Sequence, residues 1–198
     1  MDKTNSLQRG PFKRARRFLA RFGSAQRGAA AVEFAFVAAP FLGMLFAVLE
    51  LGMVFLVSTT LQNAADSASR KIRTGELQAS GGTRATFKDA ICADMSWLGS
   101  DCATNLKVDV QTYTNFDALM EADPNNPGSK RLRPPTVTGG VVQEGAWQPG
   151  GAEAIVLVRA YYSWTLITPL LNAGLPNLGN SKRLISTTVA FRNEPWGT

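Results

Sequence analysis

Histidine is absent from the 198-residue sequence. That removes the commonest general base and the commonest metal ligand. Two cysteines are present, too few to hold a structural zinc ion alone. No glycine-x-glycine phosphate loop, nucleophile elbow, internal repeat or catalytically spaced pair of carboxylates occurs. These gaps argue against an exported enzyme and predict a non-catalytic chain with no cofactor and no metal site. Net positive charge is also absent outside one region. Residues 1–28 hold eight basic residues and one acid, Asp2, a net +7, while the remaining 170 hold 13 basic and 14 acidic residues, a net −1. The overall +6 therefore belongs to a tail and not to a domain surface. An arginine-rich arm is a possible nucleic-acid footprint. This one abuts a membrane-length apolar run and lacks an aromatic stacking pattern, so no nucleic-acid partner is expected. A basic tail before such a run predicts that the tail stays in the cytoplasm and the rest crosses.

The stretch that follows, from Arg27 to Gly75, organises the chain. Between Phe34 and Val57 the only charged residue is Glu50. As a helix those residues span about 36 Å against a hydrocarbon core of about 30 Å, enough for one transmembrane pass. The run is too long for the apolar region of an ordinary secretory signal, and no small-x-small site closes it. Pro40 lies inside it and is expected to kink or loosen the helix locally. Beyond Val57 the helical phase continues: Leu61, Ala64, Ala65, Ala68 and Ile72 form a narrow apolar stripe. Gln62, Asn63, Asp66, Ser69, Arg70 and Arg73 take the other face. Basic residues at the end and Gly75 predict a stop there. The stripe needs a partner, either the chain's own domain or neighbouring copies. Within the leader, Lys13 to Phe22 has the pattern of a short amphipathic helix suited to an anionic leaflet, with a disordered tail as the alternative.

The remainder reads as a small α+β domain, residues 76–198. Thr83 caps a short helix whose core stripe is Phe87, Ile91 and Met95. Leu106, Val108 and Val110 alternate with polar residues as a strand reaching about Phe116. Residues 121–151, rich in proline, glycine and asparagine, form a long loop with room for a short strand at Val141–Val142. Ala154 to Leu166 is a strand with Val156, Val158, Ala160, Tyr162 and Trp164 on one face, ended by Pro169. A loop over Leu171–Asn180 precedes a last strand, Ser181 to Asn193, with Ile185, Val189 and Phe191 inward. An antiparallel sheet of about three strands packed on helix is expected. Tyr161, Tyr162, Trp164 and Trp196 are read as core or sheet-edge packing and not as a carbohydrate site. Cys92 and Cys102 follow the apolar run, and outside the cytoplasm a disulfide would persist. Bridged, they would close a loop of about 11 residues, worth roughly 3 kcal/mol. Two unpaired buried thiols are the alternative.

Two acids interrupt the apolar stretch. A carboxylate in a bilayer is a functional hypothesis by default, although both Glu33 and Glu50 could reach an interface or an interhelical hydrogen bond. Gly28 followed by Ala29-Ala30-Ala31-Val32-Glu33-Phe34 resembles the processing site of type IV pilins and pseudopilins. The wider pattern is similar to the TadE-like family, pseudopilin-like proteins of the tight adherence, or Flp, pilus system. It comprises RGAAAVEFAFVAAPFL, ELG at Glu50–Gly52, LQNAADSASR at Leu61–Arg70 and a closing FRNEPW at Phe191–Trp196. Phe34 departs from the major Flp pilins, which usually carry tyrosine there, and the chain is far longer than they are. Both departures favour a pseudopilin-like component over the main subunit.

The resemblance implies a pilin-like, membrane-anchored α+β chain. Its leader, residues 1–28, would be cut between Gly28 and Ala29 by a prepilin peptidase. A transmembrane and stalk helix over residues 29–75 would follow. Glu33 would be the assembly carboxylate, paired with the new amino group of another subunit. Glu50 matches family glutamates near the helix middle, with no defined role. Implied partners are other pilins or pseudopilins, the inner-membrane assembly platform and the peptidase. The implied location is the bacterial cytoplasmic membrane with the domain in the periplasm. The alternative is an uncleaved single-pass envelope protein acting as an interaction module.

Overall fold

The computed structural model describes residues 26–168, 174, 175, 177–179 and 181–197. The leader through residue 25, with the expected Lys13–Phe22 helix, lies outside the described residues, as do Pro169 and much of the Leu171–Asn180 loop. The chain forms two compact units, Met1–Phe46 and Ala47–Thr198.

Helix α1 spans Gln26–Arg73 and continues through Pro40. In its first part every large apolar side chain, including Val32, Phe34, Phe36, Phe41 and Leu45, is exposed. In its last part Val54, Val57, Leu61, Ala64, Ala65, Ala68 and Ile72 are buried in the core of the second unit. The stripe thus finds its partner in the chain's own domain. It is wider than its periodicity suggested, because Ser69, expected on the polar face, is also buried. At the helix end the amide of Thr74 donates to the Arg70 carbonyl at 2.9 Å and that of Gly75 to the Ile72 carbonyl at 3.1 Å. Gly75 is left-handed with φ 76°, and a Cβ there would lie 2.5 Å from the Trp196 indole. Glycine is therefore required twice, by backbone conformation and by the ring stacked over it.

Helix α2 spans Arg84–Asp94. Thr83 opens it with a capping box: its amide donates to the Thr86 hydroxyl at 2.8 Å, and the Thr86 amide donates back to the Thr83 hydroxyl at 3.4 Å. Phe87, Ile91 and Met95 are fully buried. Short helical turns at Glu76–Ala79, Ser96–Asp101 and Cys102–Asn105 join the larger elements.

Strand β1 covers Leu106–Tyr113, stopping three residues short of the expected Phe116. Two small hairpins occupy the proline- and glycine-rich stretch, β2 (Met120–Ala122) with β3 (Lys130–Leu132), and β4 (Val137–Thr138) with β5 (Val141–Val142). Strands β6 (Ile155–Thr165) and β7 (Lys182–Arg192) follow. The main sheet has the order β1-β6-β7, antiparallel throughout. Its register sets Val108 opposite Ala160, Val110 opposite Val158 and Tyr162 opposite Ile185. This face packs on α1 and α2 side chains in one core. The second face departs from simple alternation, because Leu157, Arg159 and Tyr161 are buried as well. Residues 145–148 lie against the free edge of β1: Gly145 N donates to Val108 O, Val110 N to Ala146 O, and Gln148 N to Val110 O, at 2.8–3.0 Å. The stretch expected to be loop is thus the cover of an otherwise exposed strand edge.

Candidate functional site

Gly28 lies in the first turns of α1 with nothing within 4 Å of the position a Cβ would take. The Gly28–Ala29 bond is helical here, not extended as a protease would need it. A glycine at that point lowers the cost of unwinding by about 1 kcal/mol relative to alanine. Glu33 is exposed one turn beyond Ala29, among exposed apolar side chains. Among the described residues it has no hydrogen bond or ion pair.

Glu50 has opposite surroundings. It is buried, at 2% exposure. Its Oε2 accepts the amides of Ile167 and Thr168, both at 2.8 Å, and the Thr168 hydroxyl at 3.1 Å. Its Oε1 is buried without a hydrogen-bond partner. The amides it holds follow the end of β6, where the ladder has run out after Leu166 N donates to Ser181 O at 3.1 Å. A carboxyl oxygen is an acceptor able to take several such orphaned donors at once. No local signal pointed to these partners, which lie 117 and 118 residues away.

A second buried carboxylate escaped sequence reasoning altogether. Asp109 and Arg159 face one another across β1 and β6 and form a buried ion pair. Asp109 Oδ1 also accepts from Ala146 N and from Gln111 Nε2, both at 2.9 Å, while Arg159 Nη1 donates to the Arg133 carbonyl. Gly145 passes so close that a Cβ there would lie 2.2 Å from the Asp109 side chain. A cleft of ≈ 240 Å³ opens beside the pair. The carboxylate and the guanidinium are each other's partners in this pair. The only sequence signal was one arginine in the middle of the most apolar strand.

Beside it, Glu144 Oε1 accepts from Lys88 Nζ at 2.6 Å and lies 3.6 Å from Lys107 Nζ, and its Oε2 accepts from Val108 N at 3.2 Å. Burial raises the Glu144 pKa, but the Lys88 hydrogen bond, the Val108 amide and the two lysine charges together outweigh it, leaving it below the usual glutamate value. Burial raises the hydroxyl pKa of Tyr161 and of Tyr162. Among the described residues no group of three or more His, Cys, Asp or Glu is placed to hold a metal ion. Cys92 and Cys102 are joined by a disulfide with Cα atoms 5.7 Å apart, linking α2 to the turn before β1.

The closing FRNEPW segment fastens the far end of α1. Glu194 N donates to Arg73 O at 2.9 Å, and its carboxylate lies 3.4 Å from Arg73 Nε. Asn193 Nδ2 donates to the carbonyls of Pro149 and Gly151 at 3.1 and 2.8 Å.

Residues 28–70 match the family model described as TadE-like protein. No curated protein and no solved structure matches the chain. The matched stretch opens on Gly28, contains both Glu33 and Glu50, and takes in the buried stripe as far as Ala68. The likeness to that family covers the helix and leaves the sheet-bearing part of the chain unmatched.

Proposed function

We propose that the chain is a pseudopilin-like, non-catalytic component of tight adherence pilus assembly. Its helix anchors it in the cytoplasmic membrane and its domain lies in the periplasm. A prepilin peptidase removes residues 1–28, and Glu33 becomes the fifth residue of the mature chain. The observation that carries this reading is the family match opening on Gly28, with an exposed, unpaired Glu33 one turn into the apolar helix. A carboxylate there is costly in lipid until a cation meets it. The new amino group on Ala29 of a neighbouring subunit is the cation that processing creates, and the pair would set axial register. The partners are then other pilins, the assembly platform and the peptidase.

Coexpression with a cognate prepilin peptidase tests it. Intact mass and N-terminal sequencing are expected to find a chain beginning at Ala29. Glu33→Ala is expected to be cut normally yet to impair piliation. A chain of full mass in the presence of an active peptidase would instead support an uncleaved, single-pass interaction module.

A further inference from the structure

Helix α1 keeps exposed apolar side chains as far as Leu51, Phe55 and Leu56. Its exposed residues then become polar at Gln62, Asn63 and Asp66. Between them, the hydroxyls of Thr59 and Thr60 donate back to the Leu56 carbonyl at 3.0 and 2.8 Å, needing no water. The apolar band therefore ends near Leu56. Glu50 lies six residues, about 9 Å, inside that end. Its side chain leans further inward, because helical side chains tilt toward the N-terminus. The Ile167 amide is 2.8 Å from the Glu50 carboxylate, so Ile167 sits at that same depth. Ile167 is 70% exposed. The sequence around it carries no charge between Arg159 and Lys182.

We propose that the 166–168 turn is a second membrane contact, seated in the periplasmic-side leaflet beside α1, with lipid as the occupant of the Leu51, Phe55 and Ile167 surface. This rests on reading α1 as the membrane anchor. It accounts for Glu50 physically. Backbone donors that leave a sheet inside the apolar band find no water and must be satisfied within the protein. Glu50 supplies the acceptor for both amides and the hydroxyl at that point. The domain is then held against the bilayer and does not swing on a free stalk.

The test uses the full chain in nanodiscs of phosphatidylethanolamine and phosphatidylglycerol. Cys92 and Cys102 are bonded to one another, so a single introduced thiol takes the nitroxide label. Ile167→Cys is compared with Leu49→Cys as the lipid reference and Asp66→Cys as the water reference. Oxygen collisions at position 167 are expected to match those at 49. Collisions with a water-soluble nickel chelate are expected to fall roughly tenfold below those at 66, the factor set by about 1.4 kcal/mol of partitioning. Nickel collisions equal to those at 66 would overturn the proposal by placing the turn in water. Low collisions with both reagents would overturn it in favour of a protein cover such as a second copy. Free access of nickel to position 49 would overturn the anchor reading itself, a result distinct from either.

Discussion

Glu33 and Glu50 share one helix and meet opposite fates. Glu33 is exposed among apolar side chains and has no partner among the described residues, whereas Glu50 is buried and bonded to the strand end of its own domain. The same contrast divides the helix as a whole. Its first part buries no large apolar side chain, and its last part is the spine of the domain core. A helix with a single charged residue in a 24-residue apolar run thus does two jobs. The position at which its side chains become buried tells them apart better than hydropathy does.

Core truncation breaks the comparison most forcefully. Leu61→Ala removes a fully buried side chain and is expected to destabilise the domain by about 2–5 kcal/mol. Phe36→Ala, at an exposed position, is expected to leave urea unfolding in mild detergent unchanged. Equal shifts for both would erase the division.

A smaller effect separates the two carboxylates. Glu50→Ala strands the Ile167 and Thr168 amides and is expected to cost roughly 1–3 kcal/mol, while Glu33→Ala spares domain stability. The two glycines give a finer contrast. Gly75→Ala forces a left-handed alanine into the Trp196 ring and is expected to destabilise by more than about 1 kcal/mol. Gly52→Ala, with open space around it, is expected to stabilise the helix by about 0.5–1 kcal/mol. Both are read from thermal midpoints.

The smallest effect is the pH dependence of the Glu144 lock. Its folded pKa is lowered, so its contribution is complete above the unfolded value, near pH 4.3. That contribution is lost as pH falls through the lower folded value. The stability difference between wild type and Glu144→Gln is therefore expected to hold constant at neutral pH and to shrink in acid. A pH-independent difference would show that the lysines do not bias this carboxylate.

Much of the fold was legible because it is local. The Leu61–Ile72 stripe, the Phe87–Met95 stripe, the Thr83 cap and the three long strands each announce themselves within a dozen residues by period or cap chemistry. What stayed hidden is non-local. Glu50 meets residues more than a hundred positions away, and the Asp109–Arg159 pair needs the β1–β6 register, which no single strand encodes. Burial of the second face of β6 goes with a proline- and glycine-rich segment that reaches Arg159 and Asp109, and that segment's own pattern reads as loop with one short strand at Val141–Val142, which β5 matches. Ser69 was misplaced for a related reason: a narrow stripe predicts the centre of a packed face but not its width. The closing Asn193–Trp196 motif was visible as letters, and its contacts with Pro149, Arg73 and Gly75 gave it a structural reason.

The division of the helix is tested most directly by two fragments in mild detergent, residues 47–198 and residues 76–198, followed by near-ultraviolet circular dichroism through thermal unfolding. The longer fragment is expected to unfold cooperatively. The shorter one lacks Val54, Val57, Leu61, Ala64, Ala65, Ala68 and Ile72 from its core, and is expected to show no cooperative transition. A shorter fragment that unfolds cooperatively at the same midpoint would contradict the claim that the last part of α1 belongs to the domain.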